Sequence, residues 1–242
     1  MSGQFEAVLW DVDGTLLDFL YAQRIAITEC LKQVGVTATD EMIGRYSEIN
    51  DSYWKKLELG MVTKEELHVR RFADFLEEYQ IHDADVGLFK AQYLDVLANI
   101  YHHVEGALEL CTALKGKVKQ YVITNGVPEV QEKKLRLSGL YDLMDGIFVS
   151  EQIGVPKPKA GFFDYCMDVI KDIDKSKMLI VGDSLTSDIK GGVMYHIPTC
   201  WYREDDYLQQ NPQMQEVYEQ FKPDYEISHL SELYHILNIS YK

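Results

Sequence analysis

The chain has 242 residues and a formal net charge of -15 at pH 7, with 39 acidic against 24 basic side chains. This acidity argues against nucleic acid as a partner, because proteins that bind phosphate backbones need a surplus of Lys and Arg. It does not exclude a small anionic substrate, since a local cation and a few directed donors outweigh a distant field. A hydrophobic content of 46% argues against disorder, and the length fits one large domain or one domain with an insertion.

The cysteines and the N-terminal residues bear on the compartment. The four cysteines lack close spacing and a Cys-x-x-Cys pair, which favours buried free thiols in a reducing compartment over a disulfide or zinc framework. They are Cys30, Cys111, Cys166 and Cys200. Acidic residues interrupt the apolar segments of residues 1–20, so no signal peptide is predicted. No apolar run reaches the roughly 18 residues of a membrane span, so we expect a cytoplasmic protein without a membrane partner.

The first predicted strand, residues 5–10, ends abruptly at Asp11-Val12-Asp13-Gly14-Thr15. One residue separates the two carboxylates, so an extended strand end would place both on the same face. Two ionised carboxylates repel each other unless a cation lies between them or one keeps its proton. Gly14 permits a sharp turn or the close approach of a ligand. Taken alone, this segment is equally consistent with an acidic turn of no function.

Residues 17–100 show helical periodicity and no convincing strand. The first predicted helix ends at Gly35, and a second runs from Thr39 to Leu59. Thr63-Lys64-Glu65-Glu66 is a capping-box sequence and predicts the start of a third helix. A fourth helix is predicted over residues 84–100.

After about residue 104 the pattern changes to alternating strands and helices, which is typical of a parallel sheet covered by helices. The predicted strands are 119–123, 146–149, 177–181, 197–202 and 225–227, the last two as edge strands. The predicted helices are 107–114, 128–137, 160–171 and 231–237. Residues 203–222 are predicted to form a surface segment, to which the sequence assigns no role.

The sequence therefore predicts an α/β protein, with a Rossmann-like open parallel sheet as its core and an inserted α-helical cap domain. The core would comprise residues 1–16 and 104–242, and the cap residues 17–103. In such sheets the ligand crevice lies at the carboxyl ends of the strands. Polar groups follow four separate strand ends and are expected to converge there: Asp11 with Asp13, Thr124–Gly126, the loop of Lys157, and Asp183.

Four segments together resemble the ordered motifs of the haloacid dehalogenase (HAD) superfamily, and the resemblance covers essentially the whole chain. They are Asp11–Thr15, Ile123–Gly126, Lys157-Pro158 with Phe163 six residues after the lysine, and Gly182–Asp188. The resemblance implies hydrolysis of small phosphomonoesters through an aspartyl-phosphate intermediate. Asp11 would be the nucleophile, and Asp13 would protonate the leaving oxygen and then deprotonate the attacking water. The alternative for the Asp13 side chain is a plain metal ligand.

The same resemblance implies the remaining roles. Mg²⁺ would be held by Asp11, the backbone carbonyl of Asp13, and Asp183, a ligand set of the hard oxygen atoms that this ion prefers. Phosphate would be bound by the Thr124 hydroxyl, the amides of Asn125 and Gly126, and the Lys157 ammonium. Asp188 would orient Lys157 or a metal-bound water. The alternative is that Asp188 is an ordinary acidic residue at the start of a helix.

Competing chemistries are disfavoured to different degrees. Dehalogenases of the superfamily lack the second aspartate of the first motif, so Asp13 disfavours that reaction. The chain carries neither the membrane spans of ATP-driven pumps nor a Walker sequence. A sugar-phosphate phosphatase or a phosphomutase stays open, because both use the same core. A non-catalytic HAD-like binding scaffold is a remote alternative, since such proteins often lose a motif carboxylate.

Further segments resemble the bacterial pyrimidine 5′-nucleotidases of this superfamily, which act on UMP, dUMP and dTMP. They are Asp18-Phe19, Tyr53-Trp54, Leu57–Leu67, Arg71-Phe72 and Thr199–Tyr202. The resemblance implies a small phosphorylated metabolite, a nucleoside monophosphate, as the substrate. Phe19 is the best candidate for stacking on a base because it lies next to the first motif. Packing inside the cap explains Tyr53, Trp54 and Phe72 better. Arg203–Asp206 departs from the Asn-Pro-type sequence that is expected after the tryptophan. The oligomeric state stays open between a monomer and a homodimer.

Overall fold

The computed structural model describes residues 5–240, and they contain a six-stranded sheet in which every neighbouring pair of strands is parallel. The strands are β1 (Ala7–Trp10), β2 (Lys119–Thr124), β3 (Gly146–Val149), β4 (Met178–Gly182), β5 (Thr199–Tyr202) and β6 (Tyr225–Ile227). Their spatial order is β3-β2-β1-β4-β5-β6. The predicted open parallel sheet is confirmed, and the first strand of the chain lies in its interior.

Helices form the connections between the strands, as parallel pairing requires. Within residues 5–240 the α-helices are α1 (Phe19–Gln33), α2 (Asp40–Glu58), α3 (Lys64–Glu78), α4 (Val86–Asn99), α5 (Ala107–Leu114), α6 (Pro128–Leu137), α7 (Ser150–Ile153), α8 (Ala160–Ile170), α9 (Lys190–Tyr195), α10 (Tyr207–Gln210), α11 (Gln215–Gln220) and α12 (Leu233–Ile236). A π-helical turn over Leu185–Ile189 leads into α9. The predicted closing helix is a 3-10 turn, Leu230–Glu232, followed by the short α12.

The position of β5 corrects one prediction. This strand was expected at an edge of the sheet, but it pairs with β4 on one side and with β6 on the other. Pro198 lies just before the strand, so its missing N–H removes no bond from the ladder, and its carbonyl accepts a bond from Ile180 N at 2.9 Å. Cys200 and Trp201 are fully buried, as an interior strand requires. The edge prediction for β6 is confirmed.

The internal contacts divide the chain into two compact units. Among the described residues, the first unit consists of the segment that ends at Asp18, of His103–Pro128, and of the segment that begins at Leu135. The second takes Phe19–His102 and Glu129–Lys134. The first unit holds the sheet and the second holds α1–α4. The residue limits of core and cap stay a prediction.

The core of the sheet unit lies on both faces of the central strands. All residues of β1 and β4 are buried, which explains why each reads as a continuous apolar run. Successive side chains alternate between the faces. Val8 and Trp10 pack in one cluster with residues of α5 and α12, whereas Ala7 and Leu9 pack in another with residues of α8. The four cysteines are buried and free, as their spacing indicated.

The helical unit is packed around aromatic side chains. Tyr46 stacks on Phe72 with ring centroids 5.7 Å apart, and Phe72 meets Tyr93 edge-on at 5.0 Å. The capping box predicted at Thr63 is confirmed: its hydroxyl accepts from Glu66 N, and the Glu66 carboxylate accepts from Thr63 N. Among the helices of residues 5–240, none combines the length and the apolar character needed to cross a membrane.

Candidate active site

Three neighbouring strands bring the predicted motifs to one edge of the sheet. In the register of the sheet, Trp10 at the end of β1 lies beside Val122 of β2 and Val181 of β4. The residues that follow these strands therefore emerge side by side at the carboxyl edge. Asp11 follows β1 and Asp183 follows β4, while Thr124 ends β2. The chain thus gathers polar groups from three distant parts of the sequence.

Lys157 occupies the centre of this cluster and is 1% exposed. Its ammonium donates three hydrogen bonds, to Asp11 Oδ1 at 2.8 Å, to Asp188 Oδ1 at 2.6 Å and to the Ile123 carbonyl at 2.8 Å. An ammonium has three donors, so all three are satisfied. Burial by itself would lower the pKa of Lys157, but the Asp11 and Asp188 carboxylates raise it above its ordinary value. The side chain is therefore a fixed positive charge between two carboxylates.

The side chain of Asn125 holds the Lys157 loop in place. Its Nδ2 donates to the Lys157 carbonyl at 3.0 Å, and the Lys157 amide donates to its Oδ1 at 2.9 Å. This two-point contact imitates a pair of strand hydrogen bonds across 32 residues of sequence. The sequence suggested only the backbone amide of Asn125 as a functional group. No local signal revealed the side-chain contact, because it depends on where a distant loop returns.

Asp183 fits into a space that Gly14 leaves open. A Cβ at Gly14 would lie 2.5 Å from Asp183 Oδ2, and the φ of Gly14 is +97°. Both the close approach and the left-handed backbone therefore require glycine. Thr15 Oγ1 donates to Asp183 Oδ1 at 3.4 Å. A Cβ at Gly182 would likewise collide with the Asp188 carboxylate, a requirement that the sequence pattern alone did not reveal.

Three carboxylates converge in this cluster: oxygen atoms of Asp11, Asp183 and Asp188 all lie within 4.8 Å of one another. Burial raises the pKa of Asp11 well above its ordinary value; Lys157 opposes that shift, while Asp188 and Asp183 add to it. The cluster thus offers carboxylate oxygens from three residues beside a single ammonium. Oxygen donors of this kind fit a hard divalent cation. Asp13 lies just outside β1, is half-buried, and forms an isolated bridge with Leu17.

The motif after β2 places two further groups together. Thr124 is buried, and its Oγ1 accepts a hydrogen bond from the Gly126 amide at 3.0 Å. The hydroxyl keeps its own proton, which is one donor for a ligand oxygen. Pro128 then begins α6. The phosphate-binding role of these residues stays a prediction.

A family model described as haloacid dehalogenase-like hydrolase matches residues 5–194. The chain belongs to this family. The superfamily resemblance drawn from the four motifs is thereby confirmed.

Relatives of this HAD-like hydrolase cover nearly its whole length. It is 37% identical to the HAD-hydrolase YfnB of Bacillus subtilis, over 98% of this chain and 97% of that protein. It is 34% identical to the pyrimidine 5′-nucleotidase PynA of Streptococcus pneumoniae (92% and 91%) and 30% identical to the pyrimidine 5′-nucleotidase YjjG of Escherichia coli (97% and 98%). A crystal structure of YfnB bound to magnesium, described as revealing interdomain movement, covers 98% of this chain and 100% of its own with a TM-score of 0.87.

The aromatic candidate Phe19 belongs to the helical unit of the hydrolase, where it is the first residue of α1. It is half-buried, and the Lys134 ammonium lies 5.8 Å from its ring centroid, a distance typical of a cation–π contact. Stacking of Phe19 on a base stays a prediction. Tyr53 and Phe72, by contrast, are buried within the same unit, which agrees with a packing role.

Proposed function

We propose that the chain is a Mg²⁺-dependent phosphomonoesterase that hydrolyses pyrimidine nucleoside 5′-monophosphates. The observation that supports this most strongly is the buried contact of Lys157 with Asp11 at the carboxyl edge of the sheet, beside the Asp183 carboxylate. A phosphate ester needs a nucleophile and positive charge near the phosphoryl oxygens, and this cluster offers both. The names of PynA and YjjG support the substrate class.

In the proposed reaction the Asp11 carboxylate attacks phosphorus, and the bond between phosphorus and the ester oxygen breaks. Asp13 gives its proton to the departing alkoxide, so the nucleoside leaves as an alcohol. Asp13 then takes a proton from water as that water attacks phosphorus, which cleaves the aspartyl phosphate and releases inorganic phosphate. Lys157 orients Asp11 through the 2.8 Å hydrogen bond, and Asp188 keeps Lys157 in place from its other side.

The metal in this proposal would be held by Asp11, Asp183 and the backbone carbonyl of Asp13. The clustered carboxylate oxygens are the hard donors that Mg²⁺ prefers, and YfnB has been crystallised bound to magnesium. When bound, the ion supplies Lewis-acid polarisation and neutralises the charge of the phosphoryl oxygens. A cation beside Asp11 would also favour its ionised, nucleophilic form against the effect of burial.

The test is phosphate release from UMP, dUMP, dTMP, purine nucleotides and sugar phosphates, with Mg²⁺ or with EDTA. We expect selective hydrolysis of the pyrimidine nucleotides, lost with EDTA and lowered by about 10⁴-fold or more in Asp11→Asn. Asp142→Asn, which changes an exposed carboxylate of the same unit, is the matched control and should keep the wild-type rate. Activity on sugar phosphates alone would retain the mechanism and reject the substrate. No activity on any ester would favour a mutase or a binding scaffold.

A further inference from the structure

Trp201 makes a contact that the proposed reaction does not use. The indole is fully buried on β5, and its Nε1–H donates to the backbone carbonyl of Asp183 at 2.8 Å. The last register pair between β4 and β5 joins Gly182 to Trp201. Asp183 comes directly after that pair, so the indole binds its carbonyl at the point where the pairing of the two strands ends.

This hydrogen bond restrains the residue whose carboxylate belongs to the acidic cluster. A carbonyl held in one direction fixes the peptide plane that follows Asp183, and so restrains the backbone ψ angle of the residue that carries the carboxylate. That side chain fits the space that Gly14 leaves open and accepts a hydrogen bond from the Thr15 hydroxyl. Trp201 restrains the same residue through its main chain.

The segment 203–222, to which the sequence assigned no role, holds Trp201 in position. Tyr207 meets the indole edge-on with centroids 5.3 Å apart, and the Tyr218 ring is tilted against it at 5.7 Å. Met214 is buried in the same cluster. Arg203 and Tyr218 both donate to Glu226 of β6, at 3.0 and 2.7 Å, so this cover is anchored to the sheet edge.

We propose that Trp201 is a positioning residue for the divalent cation: it orients Asp183 through its carbonyl, and residues 207–218 hold the indole so that it can do so. This inference rests on the proposed metal site. Groups that orient metal ligands from outside the ligand set typically change metal affinity by about 10- to 100-fold when they are removed. Trp201 therefore governs binding of the ion without touching it.

The experiment is isothermal titration of the full, metal-free chain with Mg²⁺, and it needs no substrate. Trp201→Phe keeps an aromatic ring in the cluster but removes the N–H donor. We expect its Mg²⁺ dissociation constant to rise by about 10-fold or more. Trp10→Phe is the matched control, because Trp10 is equally buried in the same sheet and donates its indole N–H to Gln120 Oε1 at 3.3 Å. Its dissociation constant should equal that of the wild type.

A Tyr207→Leu chain, which keeps the indole but removes part of its cover, provides a second variant if Trp201→Phe does not fold. Its dissociation constant should rise by an intermediate amount. Wild-type Mg²⁺ affinity in Trp201→Phe would overturn the inference. If only Tyr207→Leu folds, wild-type affinity in that variant would overturn it. An equal loss of Mg²⁺ affinity in Trp10→Phe would also overturn it. A wild-type chain that binds no Mg²⁺ would instead refute the proposed metal site, and the inference with it.

Discussion

The two units of the chain each bury a cationic side chain, and they stabilise its positive charge in different ways. Lys157 in the sheet unit is 1% exposed and lies between the carboxylates of Asp11 and Asp188. Arg71 in the helical unit is 2% exposed, and among the described contacts it pairs with an amide rather than with a carboxylate. Its NH1 group donates to Asn50 Oδ1 at 2.5 Å instead.

Arg71 contacts aromatic rings and a network of neutral polar side chains. The guanidinium faces the Phe72 ring at 4.6 Å, which gives it cation–π stabilisation. Asn50 Nδ2 donates onward to Gln23 Oε1 at 2.9 Å, and Gln23 Nε2 donates to Ser47 Oγ at 2.7 Å. This amide network joins α1, α2 and α3. Its amide and hydroxyl groups are neutral, which suits a structural element.

The difference between the two buried cations separates a site suited to chemistry from a site suited to packing. The Lys157 contacts join residues 146 and 31 positions apart, at strand ends where a ligand crevice is expected. Charges of both signs crowd there, so protons and cations change the energy of that cluster. The Arg71 network joins neighbouring helices through neutral groups, so it should contribute to stability alone. Substitutions in the two places should therefore respond differently to pH and to metal.

Replacing the buried ammonium should have the largest effect. In Lys157→Met the carboxylates of Asp11 and Asp188 lose the cation between them, and breaking a buried ion pair in this way costs about 3–5 kcal/mol. We expect a loss of that size in the free energy of unfolding in urea. Phosphate release should fall by about 100-fold or more, because the group that orients Asp11, the proposed nucleophile, is gone.

A surface ion pair provides the control for that substitution. Lys177 pairs with Glu6 at 2.5 Å but is 51% exposed, so solvent and salt screen the interaction. Lys177→Met should therefore lose only a small fraction of the stability that Lys157→Met loses, and it should keep its activity. If the two variants were equally stable, the ion pairs of Lys157 would not stabilise the fold more than the exposed pair of Lys177.

The metal should act on the Asp11 cluster in a pH-dependent way. Burial raises the pKa of Asp11 in the folded, metal-free chain above the unfolded value of about 3.9. Its stabilising contribution is therefore complete below about pH 4 and is lost as the pH rises through the folded pKa. In the proposed site Mg²⁺ binds the ionised carboxylate, so the gain in stability from Mg²⁺ should grow over the same pH interval.

At a Mg²⁺ concentration 100 times the dissociation constant measured at pH 7.5, the expected gain at that pH is about 2.7 kcal/mol. Near pH 4, close to the unfolded pKa of Asp11, the same concentration should give less. The measurement is urea unfolding at both pH values, with Mg²⁺ or with EDTA. Asp11→Asn has no carboxylate to ionise at this position and should lose the pH-dependent part of the gain. An equal gain at the two pH values would contradict the assignment of Asp11 as a ligand.

Features that depend on a few consecutive residues could be predicted from the sequence. The apolar run before Asp11 and the polar residues after it indicated both a buried strand and its end. The capping box at Thr63 was visible because its two partners are three residues apart. The parallel sheet followed from the alternation of such segments. Each of these features is set by residues close together in the sequence, so it forms in the folded chain as predicted.

Features that depend on pairing between distant segments could not be predicted in the same way. The interior position of β5 depends on β6 joining its far side, and the composition of Thr199–Tyr202 does not reveal that. The contacts of Asn125 with the Lys157 loop and of Trp201 with Asp183 depend on where separate chain segments meet. The Arg71 network was hidden for the same reason. A buried arginine and an exposed one have the same letter in the sequence.

The smallest expected effect tests the structural role of the neutral network. Asn50→Leu leaves the Arg71 NH1 group and the Gln23 Oε1 atom without their present partners, and such buried polar groups cost about 1–3 kcal/mol. The loss in the free energy of unfolding should be the same from pH 5 to pH 8, with or without Mg²⁺, because the substitution removes a neutral amide. Asn99→Leu, at an exposed asparagine that donates to the Asp95 carbonyl, is the control and should stay close to the wild type. A loss that varied with pH or with metal would show that the network is coupled to an ionising group, and the contrast between the two buried cations would no longer hold.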